Sequence, residues 1–122
     1  MSLKDEINVA IASHSIWKSR LIKAIETGTL DVPQHTIAMD DHCAFGKWLL
    51  GNDIPAEIRN STEYKNVKDL HARFHKVAAK VAELALSGHK VEADKFMAIN
   101  GEYTTITTQL ISDLAAWQKK LP

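Results

Sequence analysis

The chain has 122 residues, which is enough for one domain with a single hydrophobic core and too few for two. Lysine plus arginine balance aspartate plus glutamate at 15 each, so the net charge is zero with neutral histidines and no basic surface for nucleic acid is indicated. The longest apolar runs are only a few residues, so we expect no membrane insertion and no signal peptide in this segment.

The first predicted element is a helix from about Leu3 to Thr27, with Gly28 at its end. Its apolar residues recur every three or four positions, as on the buried face of an amphipathic helix. His14 lies inside this stripe, where a lone histidine is usually a hydrogen-bonded core residue. The full stripe is Ile7, Ala10, Ile11, His14, Trp17, Leu21, Ala24 and Ile25.

An irregular connection and a short helix follow. Residues 29–40 include Pro33 and predict a loop. The short helix runs from Cys43 to Leu50 and ends at Gly51, and Pro55 begins another turn. The cysteine therefore lies at the start of a helix, where unpaired backbone N–H groups favour a thiolate.

Two long helices complete the chain. The third helix is predicted over about residues 60–87, with Asn60 and Glu63 as an approximate capping pair at its start. Gly88 ends it, and the fourth helix is predicted as one continuous element over about residues 91–120. A connection this short makes the last two helices antiparallel neighbours.

These elements predict an all-α fold, an antiparallel four-helix-type bundle with a short extra helix that carries the cysteine. No segment alternates apolar and polar residues for long enough to indicate a sheet. We find no internal repeat or linker, so residues 1–122 are expected to form a single domain. The helical periodicity begins at once, which also fits a fragment of a longer signalling protein.

Four side chains on these helices have the chemistry of a metal site. His71 and His75 lie four residues apart, so on a helix they share one face with Cβ atoms about 5–6 Å apart. Cys43 is the only cysteine, and in the cytoplasm, the expected compartment, a lone thiol stays reduced. Each residue alone fits a buried core position, but together with His14 they form a set of one thiolate and three imidazoles, which favours zinc.

Other polar residues compete for places in this site. His42 adjoins the cysteine and points about 100° away from it on a helix, so the two do not face one ion. His35 lies in the connection, and His89 lies at a helix boundary where we expect it to face solvent. Asp40 or Asp41 would help to orient an imidazole, but a solvated helix cap is the better explanation for both.

Three short segments then carry a recognisable pattern: His14-Ser15-Ile16-Trp17-Lys18, Cys43-Ala44-Phe45-Gly46-Lys47-Trp48-Leu49 and His71-Ala72-Arg73-Phe74-His75. Their order and spacing resemble the chemoreceptor zinc-binding (CZB) domain family, over nearly the whole chain. The resemblance implies that the zinc ligands are His14, Cys43, His71 and His75. It also implies that the structural signature residues are Trp17, Phe45, Gly46 and Trp48.

The resemblance implies a regulatory sensor rather than an enzyme. Such domains occur at the ends of bacterial cytoplasmic chemoreceptors, beside diguanylate cyclase domains, or alone, and are often dimeric. They respond to zinc or to oxidants such as hypochlorous acid at the zinc-bound cysteine, so Cys43 is the expected redox-sensitive residue. We therefore expect one zinc per chain, a homodimer, and an attached or partner signalling domain.

Two other functions remain open from the residues. One is a hemerythrin-like di-iron carrier, which is also a helical bundle with histidines. Such a site needs bridging carboxylates, and the candidates Glu63, Glu83 and Glu102 form no paired motif with the core histidines. A bundle that serves only for dimerisation, with structural histidines, is the other alternative. A hydrolase based on Cys43 is disfavoured because zinc occupies the nucleophile and no loop for an oxyanion is evident.

Overall fold

The computed structural model describes residues 2–30, 37, 39 and 43–121, and it confirms the predicted all-α bundle. Pro33, His35, Asp40, Asp41 and His42 lie outside the described residues. Within the described part of the chain, no helix has both the length and the apolar character needed to cross a bilayer. The helices are α1 (Leu3–Thr27), α2 (Ala44–Leu50), α3 (Ala56–Arg59), α4 (Thr62–Leu86), α5 (Lys90–Met97) and α6 (Glu102–Lys120).

Helix α1 has the predicted bounds because both of its ends are capped. The Ser2 hydroxyl accepts the Asp5 backbone N–H and the Asp5 carboxylate accepts the Ser2 N–H, which forms a capping box. Gly28 takes the left-handed conformation with φ 71°, and its N–H bonds the carbonyl of Ala24. His14 lies at the middle of the buried face between these ends.

Helix α4 begins one residue later than the predicted capping pair requires. Ser61 is the N-cap, and its hydroxyl accepts the Tyr64 backbone N–H at 3.2 Å. The prediction of Asn60 and Glu63 as a capping pair was wrong, since the Glu63 carboxylate instead accepts a hydrogen bond from the Lys120 ammonium at 3.1 Å. The Ser61 hydroxyl thus satisfies an N–H group of the first helical turn, as an N-cap residue does, one position later than predicted.

The predicted fourth helix is divided into α5 and α6 by residues 98–101, which corrects the expectation of one continuous element. Gly101 packs so closely under the end of α5 that a Cβ atom there would clash with the carbonyl oxygens of Lys95 and Phe96. The spacing of Ile99 from Phe96 and Tyr103 predicts that it lies on the apolar face of one continuous helix, but it lies in this turn and is 90% exposed. The break lets α6 begin a new buried stripe with Tyr103.

Contacts at the helix ends define how the bundle is arranged. The side-chain amide of Gln118 donates to the Lys4 carbonyl at 2.9 Å and to the Asn8 side chain at 2.7 Å. Lys120 likewise reaches Glu63 at the start of α4. The end of α6 therefore meets the beginnings of both α1 and α4, so α6 is antiparallel to both and these two run in the same direction.

Helix α2 lies against the start of this bundle and is anchored by a few contacts. Phe45 and Leu49 are buried at 5% and 1% exposure, and each contributes about 1.5–3 kcal/mol by leaving water. The Tyr64 hydroxyl donates to the Leu49 carbonyl at 2.8 Å. Trp48 packs on Trp117 of α6 with ring centroids 6.0 Å apart. These contacts place Cys43, the N-cap residue of the short helix, next to α1 and α4.

Candidate metal centre

Four side chains from three helices meet in the interior of the bundle. One ligand atom from each lies within 4.8 Å of the other three. The histidines are buried at 0–3% exposure, and the cysteine is half-buried. The residues are His14 of α1, Cys43 at the start of α2, and His71 and His75 of α4. The structure thus brings together all four residues predicted as ligands.

Cys43 is held in an environment that favours a thiolate. It is the N-cap of α2, and the Gly46 backbone N–H donates to its sulfur at 3.3 Å. The first turn of a helix carries partial positive charge, which stabilises an anion at this position. The sulfur lies 3.3 Å from Nε2 of His71 and 3.5 Å from Nε2 of His75.

Backbone carbonyls orient two of the imidazoles. Nδ1 of His14 donates to the Ala10 carbonyl at 2.7 Å, and Nδ1 of His75 donates to the Ile37 carbonyl at 2.8 Å. When Nδ1 of a neutral imidazole carries the proton, Nε2 has a free lone pair that can bind a metal. A metal-bound histidine usually donates its other ring N–H to a carbonyl or carboxylate, as Nδ1 does here. Both rings are therefore fixed in the tautomer that binds through Nε2.

His71 lies deepest in the site. Its Nε2 is 3.0 Å from Nε2 of His75, and its buried Nδ1 has no hydrogen-bond partner among the described residues. Burial, together with the smaller effect of the neighbouring imidazoles of His75 and His14, lowers the pKa of His71 from 6.5 to about 2. Burial also lowers the pKa of His14 to about 4. Both rings are neutral at pH 7, which is the form that binds a metal.

The spacing and the chemistry of these donors fit zinc. A tetrahedral site with bonds of about 2.0–2.3 Å separates its ligand atoms by about 3.3–3.6 Å. The contacts among Cys43, His71 and His75 are 3.0, 3.3 and 3.5 Å, close to this range, and all four ligand atoms, including that of His14, lie within 4.8 Å of one another. A thiolate with three imidazoles suits zinc and does not suit the oxygen-preferring magnesium or calcium.

Of the signature residues named from the sequence, Phe45 and Gly46 contact this cluster, and Trp17 and Trp48 lie farther out on the same helices, α1 and α2. Phe45 contacts the rings of His14 and His71 with centroids 5.8 and 5.0 Å apart, so it forms one apolar wall. Gly46 supplies the N–H bond to the sulfur. Trp48 joins α2 to α6. Trp17 is half-buried beneath the guanidinium of Arg20, which lies 4.2 Å from its ring centroid.

A small cavity reaches the cluster from the outside of α1 and α2. It encloses about 120 Å³ and is lined by Ser13, His14, Trp17, Cys43 and Phe45, among others. A space of this size admits a few water molecules or a small reagent. Of the four cluster residues, His14 and Cys43 line this cavity, and Cys43 is the more exposed of the two.

The sequence did not predict the two carbonyls that orient the imidazoles. Ala10 precedes His14 by four residues, so helical spacing was the signal that places its carbonyl next to the ring. Ile37 lies far from His75 in the sequence, and its backbone oxygen leaves no mark in the residue pattern. His89 is exposed and contacts Ser87, which agrees with its expected place outside the site.

The carboxylates required by the di-iron alternative lie outside the cluster. The metal-capable group found in the described residues contains no aspartate or glutamate. Glu63 pairs with Lys120, Glu83 pairs with Lys80 at 3.9 Å on the surface, and Glu102 is exposed. The geometry gives these residues no bridging role.

Comparison with known proteins identifies one family. The sequence model described as "Chemoreceptor zinc-binding domain" matches residues 14–82, more than half of the chain. The matched range begins at His14 and contains Cys43, His71 and His75. No curated protein and no solved structure matches the chain.

Proposed function

Because the chain belongs to the chemoreceptor zinc-binding domain family, we propose that it is a sensory domain of bacterial signalling that holds one zinc ion per chain. The observation that carries the proposal is the convergence of four N and S ligand atoms within 4.8 Å. In this proposal His14, Cys43, His71 and His75 are the ligands.

A filled ligand set favours regulation over catalysis. Catalytic zinc sites keep an open position for water or substrate, whereas four protein ligands complete a tetrahedron. We therefore expect no enzymatic activity from this domain. Its output passes to an attached or partner domain, such as a chemoreceptor or a diguanylate cyclase, and a homodimer in the cytoplasm is its expected form.

Cys43 is the proposed sensing residue. A thiolate attacks hypochlorous acid, which forms a sulfenic acid and releases chloride, and the sulfenic acid is a weaker metal ligand. The sulfur supports this role because it is half-buried beside a small cavity, whereas the three histidines are buried. Cellular thiols reverse the oxidation, so the signal is reversible. Loss or gain of zinc itself is the alternative stimulus at the same site.

Movement of α2 is the expected consequence of losing this ligand. The helix has seven residues and is anchored by Phe45, Leu49 and the hydrogen bond from Tyr64. Its Trp48 contacts Trp117, so a displacement of α2 changes the packing at the end of α6. An attached domain or a dimer partner that contacts α6 would then read the change.

Metal analysis of protein purified without added zinc tests the proposal. We expect about one zinc per chain in the wild type and a large loss in Cys43→Ala and His71→Ala. The exposed His89→Ala is the matched control and should keep its zinc. A wild type without zinc, or with iron in its place, would contradict the proposal.

A further inference from the structure

The cavity beside the metal centre is a slot between α1 and the start of α2. Its α1 side is one face of the helix from Glu6 to Trp17, two residues about 16 Å apart along the helix axis. Its α2 side consists of Cys43, Ala44 and Phe45. The volume of about 120 Å³ gives room for only about four water molecules at about 30 Å³ each, so the slot is narrow.

Small side chains leave this slot open to solvent. Ser13 of α1 and Ala44 of α2 line it from its two sides, and both residues are exposed. Their sequence neighbours His14 and Phe45 also line it but are buried. The slot therefore leads from exposed residues at the surface to the buried ligands, and a larger side chain at either exposed position would reduce its opening.

The two large side chains that line the slot are held in place by other contacts. Trp17 lies under the guanidinium of Arg20, which is 4.2 Å from its ring centroid. Phe45 is 5% exposed and packs edge-on against the rings of His14 and His71. Neither aromatic ring can swing aside without losing these contacts, so the width of the slot is fixed while α2 is in place.

The slot also carries a negative charge. Glu6 lines it and is half-buried, and its carboxylate forms no ion pair within the described part of the chain. None of the described residues that line the slot is a lysine or an arginine. A carboxylate in a partly buried space repels an approaching anion more strongly than one in open water does. Glu6 therefore opposes the entry of anions.

We propose that this slot is the route by which electrophiles reach Cys43, and that it admits small uncharged molecules in preference to bulky or anionic ones. Ser13 and Ala44 set the size limit, and Glu6 disfavours anions. The inference rests on the proposed function, in which Cys43 is the sensing residue, and it names the class of reagent that this residue accepts.

Hypochlorous acid meets both conditions because it is a small uncharged molecule. In its reaction the Cys43 sulfur gains the hydroxyl group, chlorine leaves as chloride, and an electron pair passes from sulfur to chlorine. Glutathione disulfide is bulky and negatively charged, and disulfide exchange requires one of its sulfurs to approach the thiolate closely. The slot excludes this second oxidant while α2 is in place. Thiols that reverse the oxidation enter after α2 has moved.

Rates of Cys43 alkylation in the zinc-loaded protein test the size limit. Iodoacetamide and N-pyrenyl iodoacetamide are both uncharged and react in the same way, since the sulfur displaces iodide, but only the second is bulky. Cys43 is the only cysteine, so mass spectrometry reports on it alone. Each rate is divided by the rate for the same chain unfolded in urea with a chelator, which cancels the difference in intrinsic reactivity.

We expect folding to protect the sulfur from the pyrenyl reagent at least about tenfold more than from iodoacetamide, because the larger reagent does not fit the slot. Equal protection from the two reagents would overturn the proposal. It would mean that alkylation occurs only when α2 opens locally, which exposes the sulfur to reagents of any size.

Substitutions of the exposed lining residues decide whether this slot is the route. Ser13→Leu and Ala44→Leu reduce the opening from its two sides, and each should slow iodoacetamide about tenfold or more while zinc content stays unchanged. Ser19→Leu is the matched control, since Ser19 is exposed on α1 and does not line the slot. If Ser13→Leu and Ala44→Leu both reacted at the wild-type rate, the sulfur would have another entrance and the proposal would be wrong.

The role of Glu6 is tested with iodoacetate, which has nearly the same size as iodoacetamide but carries a negative charge. Glu6→Gln keeps the size of the side chain, so at low salt it should speed iodoacetate about threefold or more and leave the iodoacetamide rate unchanged. Glu26→Gln removes an exposed carboxylate near the other end of α1 and should change neither rate. An iodoacetate rate that did not respond to Glu6→Gln would refute the assigned role of this charge.

Zinc release keeps this proposal apart from the proposed function. Hypochlorous acid should release zinc from the wild type about tenfold faster than from Ser13→Leu or Ala44→Leu, and glutathione disulfide should release little from any of them. Equal release by hypochlorous acid from all three proteins would contradict the slot and leave the sensing role of Cys43 intact. A wild type that kept its zinc in hypochlorous acid, but showed size-selective alkylation, would contradict the sensing role and leave the slot intact.

Discussion

The two sides of the metal centre are held by very different amounts of structure. Helix α4 has 25 residues, ten of them buried, and it packs along α1 and α6. Helix α2 has seven residues with three buried. A helix this short is not stable by itself in water, so its position depends on what it contacts. His71 and His75 are therefore positioned by the bundle, whereas Cys43 is positioned in part by the site that it completes.

This difference indicates how one domain combines a stable scaffold with a responsive element. His71 and His75 supply half of the ligand set from a helix that is held in place by its packing along α1 and α6. The cysteine comes from a short helix whose expected local stability is low. A chemical change at the sulfur can then alter one helix and leave the scaffold folded.

Removal of zinc should produce the largest effect and separate the two regions. A structural zinc site contributes on the order of 10 kcal/mol to the free energy of unfolding. A strong chelator should therefore lower the midpoint temperature of unfolding by at least roughly 10 °C. Amide hydrogen exchange should increase strongly in α2, while the centre of α4 around Phe74 keeps its protection. Equal loss of protection in both helices would refute the distinction between scaffold and responsive element.

A pair of leucine substitutions tests the same difference by packing. Leu114 of α6 and Leu49 of α2 are buried at 0% and 1% exposure, so each change to alanine should cost about 2–5 kcal/mol in the zinc-loaded protein. After zinc removal Leu114→Ala should keep its full cost, because the scaffold still unfolds as a unit. Leu49→Ala should lose most of its cost, because α2 is then already displaced.

Denaturant unfolding of each variant with and without zinc measures these four values. Zinc titration of the same proteins gives the second readout. Leu49→Ala should weaken zinc binding, and Leu114→Ala should bind zinc as the wild type does. Equal costs of the two substitutions in zinc-free protein would mean that α2 belongs to the scaffold.

The part of the pH dependence of the zinc-free protein that comes from His14 should be similar to or smaller than the effect of the leucine substitutions. The pKa of His14 is lowered from 6.5 to about 4 in the folded state, mainly by burial, so the unfolded chain takes up this proton first. The contribution of His14 to stability is therefore fully present above about pH 6.5 and is lost as the pH falls to about 4. This loss amounts to at most about 3 kcal/mol.

Urea unfolding of zinc-free protein between pH 7 and pH 4 checks this expectation. His14→Gln keeps a side-chain donor for the Ala10 carbonyl but does not titrate, so its stability should fall less steeply than that of the wild type. The exposed His89→Gln should behave as the wild type does. Superimposable pH profiles for His14→Gln and the wild type would contradict the assigned cause.

The residues of the candidate site were predictable because each lies on a regular pattern. His14 lies inside the apolar stripe of α1, and His71 and His75 are one helical turn apart. Cys43 is the N-cap of a short helix that ends at Leu50, before Gly51. Local spacing and helix ends are properties that a sequence carries directly. Their role as zinc ligands remains a prediction that metal analysis must test.

Features that depend on distant contacts were not predictable. Ile99 continues the helical period of apolar residues, so the sequence predicted no break before α6. The break is explained by the close packing of Gly101 against the carbonyls of α5, which the sequence does not show. The carbonyl of Ile37 that orients His75 has no side-chain signal. The residue pattern of α1 and α4 also contains nothing that shows they run in the same direction.

The start of α4 provides the smallest and most local test of the comparison. Ser61→Ala removes the hydroxyl that accepts the Tyr64 N–H and should cost about 1 kcal/mol, whereas Asn60→Ala should cost almost nothing. Zinc content should be unchanged in both variants, because ten buried residues hold α4 in place when its first turn frays. Thermal unfolding with metal analysis measures both quantities. If Ser61→Ala released zinc, the positions of His71 and His75 would depend on the first turn of α4. The histidine side would then be as sensitive to local unfolding as the cysteine side, and the two sides would not differ in kind.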